Sequence, residues 1–277
     1  MFRFDRNYKL KVVVGGKVVT ITPPMNIIFD ADKSVSGFGL NKLNVKIPNL
    51  SESNRTSLTK DPEQQKRIPI TLEVGYGDKL ELIFKGTVHR AFSQQQGPDI
   101  ISTLECIDGG YDLVNSYTEQ TVIGRELAIQ KIVGDMPNTT IGKLTIQGDT
   151  VRPHVLVGAS YDQLLKFAGP DEQLFIDNEQ LFIIKNSEVV SLFVPQVSSE
   201  TGLSNAPVRE NSIVTFETIM NTDLRIGGLC NIKSKLAKHL NGVHKINTIN
   251  YSGEYDGEDW AQTVTASLSP NFTKVGA

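Results

Sequence analysis

Four histidines, His89, His154, His239 and His244, are the first candidates in this sequence for acid–base or metal chemistry. His239 and His244 stand five apart with Asn241-Gly242 between them. A helical zinc pair needs i, i+4 spacing, and no H-E-x-x-H is present, so the pattern is that of packed or solvated histidines. Ser160 lies near a glycine in Gly158-Ala159-Ser160-Tyr161-Asp162, but the G-x-S-x-G elbow of a nucleophilic serine is missing. Gly15-Gly16 and Gly37-Phe38-Gly39 lack the lysine-led helix that a phosphate cradle requires. One dense carboxylate cluster remains, Glu254-Tyr255-Asp256-Gly257-Glu258-Asp259. It could ligate Ca²⁺ or supply a glycosidase acid pair, yet the D-x-[DN]-x-[DN]-G order is incomplete and a solvated hairpin tip is the preferred reading. Cys106 and Cys230 lie far apart in apolar, strand-like contexts without CxxC spacing, which reads as two buried free thiols. No catalytic, cofactor-binding or metal-binding residue is assigned, and no cofactor is expected.

The elements around these residues are mostly strands. Alternation on either side of Gly15-Gly16 predicts a hairpin with a two-residue glycine turn. Further strands are expected at 26–29, 43–47, 68–75, 80–88 and 100–107. A short helix over Glu52 to Ser57 is expected behind the cap Ser51, followed by an exposed loop from Thr59 to Lys66. From about Gly110 to Gly202 the apolar period lengthens. Ala128, Ile129, Ile132 and Val133 form a helical stripe that Pro137 ends. Ser160 and Gln163 read as a capping box for a second helix, stopped by Gly169-Pro170. A hairpin is expected with Asp177-Asn178-Glu179 at its tip. Strands resume at 213–219, 228–233, 243–251 and 260–268. The expected fold is therefore mainly β: a β-barrel-like module over 1–109, an inserted α/β domain over 110–202, and a second β-barrel-like module over 203–277.

Bulk properties agree with a globular chain. It has 277 residues, 39% hydrophobic and 21% charged, with prolines and glycines spread throughout. Lys+Arg number 28 against Asp+Glu 31, a formal charge of −3, so there is no cationic excess for specific nucleic-acid binding. The first residues, Met1 to Lys9, interleave charges with aromatics and do not resemble a signal peptide. No run approaches the ~18 consecutive apolar residues of a membrane helix. These features read as a soluble chain made in the cytoplasm.

Several segments, in order, resemble the hub family of contractile-phage baseplates and related injection machines. In the first part these are Pro48-Asn49-Leu50-Ser51, Leu72-Glu73-Val74-Gly75-Tyr76-Gly77, Leu82-Ile83-Phe84-Lys85-Gly86, Gly97-Pro98-Asp99-Ile100 and Glu105-Cys106-Ile107-Asp108-Gly109-Gly110. In the second they are Thr201-Gly202-Leu203, Pro207, Phe216-Glu217-Thr218-Ile219-Met220-Asn221, Arg225-Ile226-Gly227-Gly228, Gly242-Val243-His244-Lys245-Ile246 and the loop Gly253 to Trp260. Asn221 is followed by Thr222-Asp223 where the family carries proline. Gly75, Gly77 and Gly86 suit turns or bulges in a curled sheet, and Asp108 suits the end of a strand.

The resemblance implies a non-enzymatic structural subunit of the virion tail baseplate, assembled in the host cytoplasm. It implies a homotrimer whose paired modules imitate sixfold symmetry, joining the tail tube protein to the trimeric central spike protein and lining the DNA channel. Tape measure and baseplate wedge proteins are further expected partners; specific nucleic acid and membrane are not. The alternative is a tail-associated carbohydrate-binding or cell-wall-degrading protein.

Overall fold

Gly15 and Gly16 both adopt positive φ, 55° and 80°, the geometry that a two-residue hairpin turn demands and that glycine adopts without strain. They join Arg6–Val14 (β1) to Lys17–Ile21 (β2), as the alternation predicted. The computed structural model describes residues 5–36, 40–64, 66–145 and 152–268. The Gly37-Phe38-Gly39 motif lies outside the described residues.

The chain continues through Ile28–Ser34 (β3), Lys42–Pro48 (β4), helix Glu52–Leu58 (α1), Pro69–Tyr76 (β5), Lys79–Gln96 (β6) and Asp99–Ile107 (β7). Ser51 caps α1 by accepting from the Asn54 amide. The middle of the chain holds Gly110–Asn115 (α2), Tyr117–Ile123 (β8), Arg125–Gly134 (α3), Thr140–Leu144 (β9), Pro153–Ala159 (β10), Ser160–Leu165 (α4), Glu172–Asp177 (β11) and Gln180–Lys185 (β12). The last part consists of Gln196–Ser198 (β13), Val208–Glu210 (β14), Ile213–Ile219 (β15), Leu229–Lys233 (β16), Gly242–Glu254 (β17) and Trp260–Leu268 (β18).

Strands from both ends of the chain join one sheet in the order β14-β15-β18-β17-β3-β4-β7-β6-β5-β1-β2, with β16 and β13 branching from β17. The protein is thus mainly β, but two separate barrels are not what the described residues form. Backbone pairing of β3 with β17 fuses the two sheet-rich parts, and the path ends at β14 and β2 without closing. Among the described residues the α-helices are short and lie at α1 and in the middle of the chain, and one 3-10 turn, Lys238–Leu240, precedes β17.

The sheet contains a repeat. In the first part the order is β3-β4-β7-β6-β5, and in the last it is β14-β15-β18-β17-β16, each read from a hairpin, through a long fourth strand, to the strand that precedes it in sequence. All pairings within both units are antiparallel. One irregularity is shared: β6 slips against β7 between Val88 and Arg90, and β17 slips against β18 between Ile246 and Thr248, whereas the slip of β5 against β6 between Leu72 and Glu73 has no counterpart in β16–β17. One extra residue, His89 or Asn247, sits at each bulge and lets a long strand bend and serve different partners along its length.

One face of the sheet curls over the main core. Tyr8, Leu10 and Val12 of β1, Leu43, Val45 and Ile47 of β4, and Val264 and Ala266 of β18 alternate into it at period two. At the β3–β17 junction Phe29 and Trp260 meet edge to face, 5.5 Å apart, over Gly253, which is cross-strand neighbour to both. A Cβ on Gly253 would lie 2.3 Å from the Phe29 ring. Gly253→Ala is therefore expected to destabilise the fold by about 1–3 kcal/mol in urea unfolding, because neither ring can move away without opening the junction.

Candidate functional site

Burial of charge, not exposure of it, singles out one region. Hairpin β11–β12 has both faces covered: Phe175, Phe182 and Ile184 join the main core, while Leu174, Ile176, Leu181 and Ile183 join a second core with Ala128, Ile129, Ile132 and Val133 of α3. Phe175 and Phe182 stack with their planes 13° apart. The turn residues Asn178 and Glu179 both carry positive φ, 55° and 60°, although neither is glycine. Such a turn needs support from its surroundings.

Asp108 supplies it. Directly after β7, its carboxylate accepts from the amides of Asn178 at 2.6 Å and Glu179 at 2.7 Å. Lys33 of β3 donates to the Asp177 carboxylate at 2.5 Å and to Asn178 Oδ1 at 3.0 Å. Glu179, only 3% exposed, lies between Arg67 and Lys85, each 3.0 Å away. Asn41 donates to the Ile176 carbonyl. Asp177 and Glu179 thus meet Lys33, Arg67 and Lys85, while Asp108 sits against the two amides. Burial pushes the Asp108 carboxyl up to about 7, against the opposing pull of Lys33 and the two amides.

A second tie fastens the same hairpin to the last part of the chain. Lys245 of β17 is 1% exposed and donates to Gln173 Oε1 at 2.7 Å and the Asn186 carbonyl at 3.2 Å. Burial pulls its ammonium down to about 8, with Glu188 opposing and Lys143 assisting. The polar groups of the clasp bond mainly to backbone and to one another, and so hold the hairpin in place.

The residues considered for chemistry do not gather elsewhere. His89 lies at the β6 bulge, His154 meets Phe167 edge to face at 5.1 Å, His239 is exposed, and buried His244 engages the Gly242 carbonyl through Nδ1. Among the described residues no cluster of His, Cys, Asp and Glu is arranged to hold a metal. In the acidic loop, Arg6 donates to the carbonyls of Glu254, Gly257 and Glu258, turning toward a guanidinium the oxygens that a cation would use. Both cysteines are free and buried. Ser160 is not the expected cap. Ala159 holds the N-cap position of α4, Ser160 Oγ pairs with Thr118 Oγ1 at 2.9 Å, and Gln163 donates to the Val157 carbonyl, because the β8–β10 pairing carries the chain straight into the helix.

On the opposite side from the core, the central strands present a polar wall. Asn250 bridges Asp30 and Asp32, the Thr248 and Thr265 hydroxyls meet at 2.6 Å, and Lys42, Lys46, Arg90 and Glu105 add charges of both signs. The sequence indicated Asp108 only as a strand end. Nothing in the alternation marked Lys33 and Lys245, which occupy core-facing positions.

Two outcomes test the clasp. Asp108→Ala leaves two buried amides without acceptors and should cost about 2–4 kcal/mol in chemical unfolding. For Lys245, a folded-state pKa below the unfolded value means that the unfolded chain binds more protons between pH 8 and about 10.5, so this lysine makes stability rise with pH across that window. The stability difference between wild type and Lys245→Met, followed by urea unfolding, should shift in favour of wild type from pH 8 to 10. A constant difference would contradict the burial argument.

The comparisons with known proteins agree with this scaffold-like reading. No curated protein matches the sequence. Among solved structures, the chain is similar to the 43 kDa tail protein of prophage MuSo2 from Shewanella oneidensis, with TM-score 0.66 and 11% identity over 93% of this chain and 96% of that one. It is similar to a tail protein from Neisseria meningitidis MC58, with TM-score 0.63 and 10% identity over 94% and 96% of the two chains. It is also similar to the E. coli c3393 protein, described as a type VI secretion component resembling the T4 tail proteins gp27 and gp5, with TM-score 0.63 and 10% identity over 94% and 77%. At these identities the likeness is one of fold. The family model described as baseplate hub gp41 matches residues 9–266, and the chain therefore belongs to the phage baseplate hub gp41 family.

Proposed function

We propose that this phage tail structural protein forms a closed ring of three chains that joins a sixfold tail tube to a threefold central spike. The observation that carries the reading is the repeated strand order, β3-β4-β7-β6-β5 and β14-β15-β18-β17-β16, with its matching bulges. A joint between sixfold and threefold partners must present both symmetries. Three chains with two like units each offer six near-equivalent units to the tube and keep true threefold symmetry toward the spike.

The division into 1–109, 110–202 and 203–277 belongs to this proposal, with the middle unit as an outward brace. Its own core supports that role, while Phe175 and Phe182 tie it firmly to the main core. The polar wall at Asp30, Asp32, Asn44, Lys46, Thr263 and Thr265, mixed in charge, suits a channel along which DNA slides without adhering. Tube and spike proteins are the proposed partners, with tape measure and wedge proteins beyond them.

Light scattering coupled to size exclusion should give three times the chain mass for the purified protein at micromolar concentration. A monomer or a dimer at every concentration tested would remove the proposal.

A further inference from the structure

The repeat leaves an asymmetry in pairing. Long strand β17 is paired along its whole outer side: 242–245 bond to β16, and beyond the bulge 248–254 bond to β3 of the first unit. Its counterpart β6 is paired on that side only through 79–87, to β5. Beyond the bulge, a single bridge between Lys60 and Ala91 follows, and then the edge stands open among the described residues. Ser93, Gln94, Gln95 and Gln96 are all exposed there.

The direction of the free groups follows from register. Gln96 and Asp99 flank the two-residue turn Gly97-Pro98, so Gln96, Gln94 and Phe92 exchange backbone bonds with β7. Ser93 and Gln95 then point their N–H and C=O away from β7, on the same side as Ala91, whose amide and carbonyl bond Lys60 at 2.8 and 3.0 Å. The hairpin β14–β15 ends a sheet in the same manner. Glu210 and Ile213 flank the turn Asn211-Ser212, which aims the N–H and C=O of Arg209 outward at the open edge.

The two units align through their registers. Ile107 pairs with Lys42 as Ser267 pairs with Ile213, and Asp32 pairs with Lys42 as Glu210 pairs with Ile213. Arg209 thus stands where Ala31 stands in β3. Likewise Gln95 pairs with Ile100 as Gly253 pairs with Trp260, which sets Ser93 in the place of Tyr251. In the sheet, Tyr251 pairs with Ala31.

Resting on the ring reading, we propose that β14 of one copy adds to the distal half of β6 of the next, in antiparallel register with Arg209 opposite Ser93, Glu210 opposite Phe92 and Val208 opposite Gln94. The contact between copies then reproduces the β3–β17 contact within a copy, and a head-to-tail contact of this kind gives a ring when its rotation closes after three copies. Outward-pointing donors and acceptors of Ser93 and Arg209 face each other. Glu210 comes to lie beside Arg90, which shares the outer face with Phe92 and sits 4.6 Å over its ring. Val208, 60% exposed in the single chain, gains cover. The Lys60 bridge fits as well, since it fills the place at Ala91 that the short turn Asn211-Ser212 cannot reach.

Phe92 with Glu210, and Gln94 with Val208, are pairs without mutual backbone bonds in this register, where side chains approach most closely and a disulfide is well accommodated. The double variant Gln94→Cys/Val208→Cys, oxidised gently, should run as linked dimers and trimers on a non-reducing gel. Gln95→Cys/Val208→Cys, whose side chains lie on opposite faces, should stay uncrosslinked. Arg209→Pro removes the outward donor without touching the β14–β15 bonds, and should lower the trimer fraction at least tenfold while the melting temperature of the chain is retained. A trimer that neither crosslinks through 94 and 208 nor responds to Arg209→Pro overturns this register and leaves the ring standing. A wild-type chain that is monomeric throughout overturns both.

Discussion

Pairing of β3 with β17 is the interaction on which the architecture rests. Each of the two repeated units ends in a long, bent fourth strand whose far half extends past the strand that precedes it, and an unpaired strand edge must be covered. Within the chain, β3 covers that of the second unit. The junction is sealed by Phe29 and Trp260 closing over Gly253, and by Arg6 reaching across from β1 to the carbonyls of the acidic loop and lying 5.8 Å over the Trp260 ring. A sheet built in this way is a segment of a repeating surface.

The middle of the chain is fixed to this sheet by charge as well as by packing. Hairpin β11–β12 divides its side chains between two cores, so its turn must sit at one height and in one orientation. Asp108 and Lys33 hold the turn to the first unit, and Lys245 holds the same hairpin to the second. Buried ion clusters add little net stability compared with apolar packing, but they tolerate few alternative arrangements. Here that property sets how the middle unit stands on the junction between the two repeats.

Much of this was legible in the amino-acid pattern, and the exceptions have physical causes. Gly15-Gly16, the cap Ser51, the α3 stripe and the hairpin around Asn178 announce themselves through turn chemistry and apolar period. β6 was expected to end near Val88 and runs to Gln96, because Ser93 to Gln96 are polar on both faces along an open edge and carry no alternation. β3 begins later than expected and continues through Asp30, Asp32 and Lys33, whose polarity hides a core-facing row of Phe29, Ala31 and Lys33. Ser160 fits a capping box in sequence, yet the preceding strand already directs the chain into the helix. The clasp was invisible for a related reason: a lone Asp after a strand looks the same whether its carboxylate faces water or two distant amides.

Two like modules are implied by the family resemblance, but the residues alone do not display the repeat, because equivalent positions differ in chemistry, Ala31 against Arg209 and Tyr251 against Ser93; register and connectivity make it visible. Single-particle cryo-electron microscopy of the purified protein measures its consequence directly. A ring with threefold symmetry, whose six β units alternate around a central channel and appear nearly equivalent at low resolution, is the expected result. A particle with one or two chains, or a trimer in which the two repeated units of each chain point away from a common axis, would contradict it.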